Sequence, residues 1–323
     1  MNRVRIFCLI FFLFAVVVAM AGNFVWFDGK MPVSYAVSKD CSPIVLTAIE
    51  MWKDDMLQVS GKIPFNSLGG SKSTVRIVQL GEESSDELTE LGVPIGDLSA
   101  NKEAFWIGIV RNQLLVVGSD PRGTVYGVLE LSRLAGVSPW VWWGDVTPER
   151  KMELTLPTDF QTFQHPSVEF RGIFINDEDW SSMPWANENF AYKLTDSLQL
   201  SSGKRWKGAI GPKAYEKLFQ LLLRLRANTV WPAMHECSVP FYFVEGNRQM
   251  AEKYGVTVGT SHCEPLMCNA ASEWDVRGKD DYNYITNKHA VIDFWTERLE
   301  ELKNSENIFT VGMRGKHDGS MEG

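Results

Sequence analysis

Phe170-Arg171-Gly172-Ile173-Phe174-Ile175-Asn176-Asp177-Glu178-Asp179-Trp180 is the stretch on which the fold turns. Its first half is a short apolar run of strand type. Its second half packs three carboxylates, an amide and an indole into five residues. Carboxylates resist desolvation unless they are paired or hydrogen-bonded. A buried strand that runs straight into such a cluster belongs mainly where parallel α/β strands open into a site, at their carboxyl ends. A solvated acidic loop is the plainer alternative; the downstream sequence weighs against it.

Beyond this stretch, strand-like and helix-like patterns alternate. Residues 170–176, 228–233, 255–261 and 308–313 read as strands. Residues 213–227, 247–254 and 284–303 read as helices. Tyr215, Leu218, Phe219 and Leu222 share one face of the first helix, and Val291, Phe294, Trp295, Leu299 and Leu302 one stripe of the last. Such alternation implies a parallel sheet. Four βα units are half of a (β/α)₈ barrel. The expected fold is therefore α/β, a small N-terminal α/β domain followed by the first half of a TIM barrel, truncated after about four βα units.

Working back, residues 22–157 read as the small α/β domain and 158–169 as the linker to a partial barrel over 170–323. Val33-Ser34-Tyr35-Ala36-Val37 alternates like a strand, and Ile44, Val45, Ala48, Ile49, Trp52 and Met56 recur with helical spacing. Residues 74–80, 104–110 and 113–118 are further strands, the last two joined by a tight turn at Arg111-Asn112. Asp120 is placed to cap a helix that has Pro121 in its first turn and ends at Gly136. Gly118, Gly123 and Gly127 lack the spacing of a dinucleotide fingerprint and read as turn and close-packing positions. Trp140, Trp142 and Trp143 read as an interdomain core, with a sugar platform as the alternative. Pro148 and Pro157 follow that cluster, and residues 155–165 read as leading into the next domain as a linker.

The first 21 residues have the pattern of a secretory signal: Arg3 and Arg5, an apolar run from Ile6 to Val18, then Ala19-Met20-Ala21. The apolar run is short for a membrane span, so the expectation is an exported protein with no membrane attachment after cleavage. Loss of the two arginines takes the formal charge from −8 to −10. That balance excludes nucleic acid as a partner, because phosphate binding needs a basic surface. Cys41, Cys237, Cys263 and Cys268 would remain, with no CxxC spacing. One disulfide is open to them in an oxidising compartment. Twelve tryptophans tilt the composition towards carbohydrate.

Each proposed barrel strand ends in chemistry. The first gives Asn176, Asp177, Glu178 and Asp179; the second Trp231, His235 and Glu236; the third His262 and Glu264; the fourth Arg314, His317 and Asp318. Polar sets at the same end of consecutive parallel strands are how barrel enzymes build sites. Two reactions fit. Glycoside hydrolysis needs a protonated acid at the leaving oxygen and a carboxylate facing the sugar, with Arg314 pairing with an anionic substrate group. Metal-dependent hydrolysis would draw single histidines from His235, His262 and His317, with no HxH or HExxH spacing. A carbohydrate-binding protein without turnover is the third reading.

FRGIFINDEDW, NTVWPAMHE, GTSHCEPLMCNAASEW and FTVGMRGKHDG, in this order, resemble the barrel of glycoside hydrolase family 115, the xylan α-1,2-glucuronidases. VVGSDPRGTVYGVLELSRLAGVSPWVWWGDVTPE resembles that family's N-terminal domain. The resemblance implies release of α-1,2-linked glucuronic acid, or its 4-O-methyl form, from glucuronoxylan or its oligosaccharides, with inversion. It implies no metal or organic cofactor, and a homodimer is one assembly open to the whole protein. By motif position it places Asp318, Asp179 and Asp177 as candidate catalytic carboxylates. Arg314, His262, Glu264, Trp231, His235, Glu236 and Asn176 then line the sugar pocket. It also implies that this chain is an N-terminal fragment, inactive alone, with the general acid beyond Gly323.

Overall fold

In a computed structural model of the chain, residues 22–38, 41–67, 72–81, 85–176, 178–190, 192, 206, 208–312, 314–316 and 319–321 are described, Glu178 by its backbone alone. The signal-like residues 1–21 lie outside that set. The elements in chain order are β1 (Asn23–Phe27), β2 (Ser34–Val37), α1 (Pro43–Ser60), β3 (Phe65–Asn66), β4 (Val75–Gln79), α2 (Ser85–Glu90), α3 (Ile95–Ala100), β5 (Phe105–Val110), β6 (Gln113–Gly118), α4 (Pro121–Leu134), β7 (Leu154–Pro157), β8 (Gln161–Gln164), β9 (Gly172–Phe174), α5 (Met183–Phe190), α6 (Pro212–Arg224), β10 (Thr229–Trp231), α7 (Asn247–Tyr254), β11 (Thr257–Gly259), α8 (Trp274–Arg277), α9 (Lys288–Leu302) and β12 (Asn307–Ile308). The fold is mixed α/β.

The N-terminal region is built on a sheet of order β3-β2-β4-β6-β5-β8. Strands β2, β3, β4 and β6 run parallel, while β5 and β8 are antiparallel to their neighbours. The β5–β6 turn carries two left-handed residues, Arg111 (φ 49°) and Asn112 (φ 61°), as a two-residue hairpin requires. Asp120 accepts from the Gly123 amide at 2.8 Å and caps α4. A side chain at Gly118 would collide with the Thr124 amide nitrogen at 2.2 Å, and one at Gly123 with the Ala104 carbonyl at 2.2 Å. These two glycines let α4 lie directly on the sheet. Helices α1 and α4 cover one face through Val45, Ile49, Trp52, Val125 and Val128. Leu88 and Leu98 cover the other, against Val78, Leu115 and Val117.

The stretch read as linker is ordered differently. β7 pairs antiparallel with β1, burying Leu154 and Leu156 beside Phe24 and Trp26, and β8 extends the six-stranded sheet against β5. Each is four residues long and gains its stability from partners distant in sequence, so a local reading of propensity passes over both.

The C-terminal region carries a parallel sheet in sequence order, β9-β10-β11-β12. Gly172, Ile173 and Phe174 pair with Thr229, Val230 and Trp231, and Thr229 and Val230 with Thr257 and Val258. These strands are two or three residues long, shorter than the runs of six or seven the sequence indicates. One apolar core joins the two regions: Ile49, Trp52 and Met56 of α1 belong to the same cluster as Leu218, Phe219 and Leu222 of α6 and Val230 and Val258 of the parallel sheet. Trp143 stacks on Trp185 of α5 at 5.1 Å, and its indole N–H donates to the Lys217 carbonyl at 3.0 Å. Trp143 is thus packed where the two regions meet, whereas Trp140 and Trp142, grouped with it in the expected core, stay 48% and 40% exposed.

Acid–arginine pairs complete the seam. Asp55, 1% exposed, takes both guanidinium nitrogens of Arg224 at 2.7 and 2.8 Å. Glu130 takes Arg226 at 2.6 Å. Glu103 receives Arg122 at 2.7 Å, the Asn228 amide at 2.9 and 3.2 Å, and Arg171. Except for Arg122, the N-terminal region gives the acids and the C-terminal region the partners. Burial of such pairs is offset by desolvation, so they fix the docking register more than they add net stability.

Candidate active site at the carboxyl end of the parallel sheet

All described candidates follow carboxyl ends of the parallel strands. After Phe174, the Ile175 amide makes one more ladder bond, to the Trp231 carbonyl at 2.9 Å. Asn176 is then exposed. The chain turns through a single π-helical turn at Glu178–Ser182, a form that recurs at functional sites. This turn delivers Asp179 to the loop after β10, where Asp179 Oδ2 lies 2.5 Å from His235 Nδ1. A carboxylate can only accept from this nitrogen while ionised, which places the imidazole proton on Nδ1. Trp180, next to Asp179, is 79% exposed.

Trp231 ends β10 at 37% exposure. Its ring meets Phe174 edge-on at 5.5 Å. A side chain at Gly259 would fall 2.4 Å from the Trp231 Nε1, so the bare β11 backbone is the seat of the indole. Glu236 is half-buried in the same loop, His262 is exposed after β11, and Arg314 is half-buried after β12. Glu264 is 4% exposed. Asp177, His317 and Asp318 lie outside the described residues, as does the side chain of Glu178.

The loop after β11 is strongly self-bonded. The Thr260 hydroxyl donates to the Glu264 carbonyl at 2.8 Å, and the Thr310 hydroxyl to the Thr260 carbonyl at 2.5 Å. Leu266 and Met267 are both left-handed, φ 51° and 64°, a costly conformation for such side chains that persists where the surroundings over-determine it. Burial pushes the Tyr242 hydroxyl well above the ordinary phenol range, and nearby Glu264 adds to this. Burial likewise pushes the Cys268 thiol up, so it is no nucleophile. Cys41, Cys237, Cys263 and Cys268 are all buried and form no disulfide. Among the described residues no three His, Cys, Asp or Glu side chains converge as a metal-binding set, and no helix is long and apolar enough to cross a membrane.

A cleft of about 840 Å³ lies at the opposite end of the sheet, between the two regions. Its charged lining is engaged in pairs: Arg122 with Glu103 and Glu306, Arg171 with Glu103, and Arg248 with Glu252. It is a docking seam, remote from the strand ends that carry Asp179 and His235.

Residues 163–323 match the family model of glycosyl hydrolase family 115. The chain also superposes on BtGH115A, a family GH115 4-O-methyl-α-glucuronidase with specificity for decorated arabinogalactans, at 44% identity and a TM-score of 0.82 over 93% of this chain. The chain belongs to glycosyl hydrolase family 115. It spans 38% of BtGH115A. Two other solved structures are far less similar. A GH138 enzyme targeting pectin rhamnogalacturonan II is 16% identical with a TM-score of 0.39, over 71% of this chain and 24% of its own. The Flavobacterium johnsoniae chitobiase is 9% identical with a TM-score of 0.42, over 80% and 35%. No curated protein matches the chain.

Within this family 115 chain, several contributors at the same sheet end escaped the sequence reading. Gly259 was unremarked because its part is to have no side chain. Ser261, whose hydroxyl lies 2.6 Å from the Met234 sulfur, and Asn269, which bonds the β10 and β11 loops, sit among small residues. An asparagine two residues ahead of an Ala-Ser pair is an Asx-turn signal and was the one local clue to Asn269.

Proposed function

We propose that the carboxyl end of the parallel sheet is part of the active centre of an inverting glycoside hydrolase. It releases α-1,2-linked glucuronic acid, or its 4-O-methyl form, from glucuronoxylan and glucuronoxylo-oligosaccharides. We read the four parallel strands as half of a (β/α)₈ barrel, the N-terminal α/β region as a separate domain docked on it, and residues 1–21 as an export signal. The observation that carries the reading is the Asp179–His235 pair, 2.5 Å apart, in a chain 44% identical to a 4-O-methyl-α-glucuronidase.

The roles follow from the chemistry of inversion. One carboxyl protonates the leaving oxygen while a carboxylate on the opposite face activates water, the two standing roughly 6.5–9.5 Å apart. Asp318 is assigned the water-activating part, with Asp177 and Asp179 as the further candidate carboxylates. His235, its Nδ1–H bound to Asp179, presents Nε2 to the sugar. Trp231 offers its exposed face to a pyranose ring, Arg314 binds the uronate bidentately, and Asn176, Glu236, His262 and Glu264 complete the polar lining. The specificity of BtGH115A for decorated arabinogalactans favours a second acceptor, an arabinogalactan carrying the same acid.

Product analysis on both glycans, made with the whole protein, tests the reading. Free glucuronic acid or its 4-O-methyl ether is expected, appearing first as the β anomer. Arg314→Ala is expected to lower kcat/KM by roughly ten- to 150-fold, the equivalent of about 1.5–3 kcal/mol for a charge-assisted contact, with the melting temperature unchanged. Release of no uronic acid from either glycan sinks the assignment, and a value within threefold of wild type removes Arg314 from the site.

A further inference from the structure

We infer that Asn269 is a positioning residue of this active centre: its carboxamide fixes the buried Glu264 carboxyl and ties it to the loop that carries His235. The inference rests on reading this sheet end as the α-glucuronidase site.

Asn269 is 1% exposed. Its Nδ2 donates to the Met234 carbonyl at 2.8 Å and to Glu264 Oε1 at 3.0 Å. Its Oδ1 accepts from the Ala271 amide at 3.0 Å, the Ser272 amide at 2.9 Å and the Ser272 hydroxyl at 3.3 Å. An amide has two N–H donors and an oxygen that only accepts. Both donors face acceptors and the oxygen faces donors, so the group has one usable orientation. Met234 immediately precedes His235, and Glu264 is two residues beyond His262. One side chain therefore couples the loops of two adjacent strands.

The rest of the loop supports this. The left-handed pair Leu266–Met267 reverses the chain between Glu264 and Asn269. It is pinned by the Leu266 amide to the Thr310 carbonyl at 2.9 Å and by the Met267 amide to the Glu264 carbonyl at 3.2 Å. The Asn269 amide donates to Glu273 Oε2 at 3.3 Å, and Glu273 is neutralised by Arg277 at 2.9 Å and by Arg298. The groups that bear on Glu264 are thus His262 on its own loop, Glu273 with its two arginines behind Asn269, and neutral Tyr242, over whose ring Arg298 lies at 5.2 Å. Donation from the Asn269 amide favours the ionised carboxylate. An aspartate in its place has the same shape, offers no donor, and sets a second carboxylate against the first. Two carboxyls so placed titrate as a pair, one of them well above its normal range.

Asn269→Asp in the whole protein is the test. The acidic limb of kcat/KM against pH is expected to move up by at least one unit, with kcat near pH 6 falling more than tenfold, KM changing less than threefold, and the fold retained. Infrared spectra taken against Glu264→Gln follow the carboxyl itself without turnover. An upward shift there in a protein that releases no uronic acid would sink the assigned activity and leave Asn269 in its role. Asn269→Asp combined with Glu264→Gln restores a donor–acceptor pair with its polarity reversed, and is expected to melt above Asn269→Asp alone. An unshifted carboxyl and pH profile in folded Asn269→Asp, or a double variant no more stable than the single one, overturns the inference.

Discussion

The two ends of the parallel sheet handle charge in opposite ways. At the amino end Arg171, Arg226 and Asn228 precede the strands and meet Glu103 and Glu130 of the other region, while Arg224 meets Asp55. Every one of these groups is spent on another protein group, and the seam is closed. At the carboxyl end Asp179 and His235 also meet, yet their side chains keep 34% and 22% of their exposure, and Trp180 and Trp231 are open. A cleft alone therefore says little about chemistry. The roomy amino-end cleft is lined by closed pairs, whereas the paired groups at the carboxyl end stay partly exposed.

The sharpest way to break this contrast is at the closed end. Asp55→Ala leaves Arg224 buried without its acid and is expected to cost about 3–5 kcal/mol, read as a shift of the denaturant midpoint. Uronic acid release per folded molecule should be unchanged in the cold. Asp55→Leu with Arg224→Met should recover most of the loss, since an apolar pair of similar volume needs no desolvation. Asp179→Asn at the open end should do the reverse. A fall in kcat of about 10²-fold or more, near 2.7 kcal/mol of barrier, is expected with the melting temperature held. A stability loss without a kinetic one would move Asp179 among the closed pairs. The mildest test is Trp231→Ala. Loss of one aromatic face is worth about 1 kcal/mol, so KM should rise near fivefold while kcat holds; an unchanged KM would leave Phe174 and Trp231 as packing alone.

The same contrast explains which features were legible in the sequence. Asp120, Pro121, Arg111-Asn112 and the stripe of Tyr215, Leu218, Phe219 and Leu222 act within a turn or two of chain, and each is where its local signal places it. The polar sets following β9, β10 and β11 were likewise readable, because a strand that stops at acids or histidines is a local event. The closing pairs were not. Asp55 and Arg224 are 169 residues apart, and Glu103 and Asn228 are 125 apart. Nothing near Arg171 distinguishes it from a surface arginine. β1, β7 and β8 were missed for the same reason, as were the short helices α2, α3, α5 and α8, whose few residues carry too little periodicity. Asn269 was quoted within a motif but not singled out, since its meaning lies in the Met234 carbonyl across two loops.

The pairing of Asn23–Phe27 with Leu154–Pro157 bears on how the molecule is made. Phe24, Trp26 and Phe27 are buried in the finished protein, yet their partner strand is synthesised more than a hundred residues later. At about 5–20 residues per second, that wait is on the order of ten seconds. During it the nascent chain carries three large aromatic side chains and an unpaired strand. Until residues 154–157 arrive, that strand edge is the part of the young chain most open to mispairing.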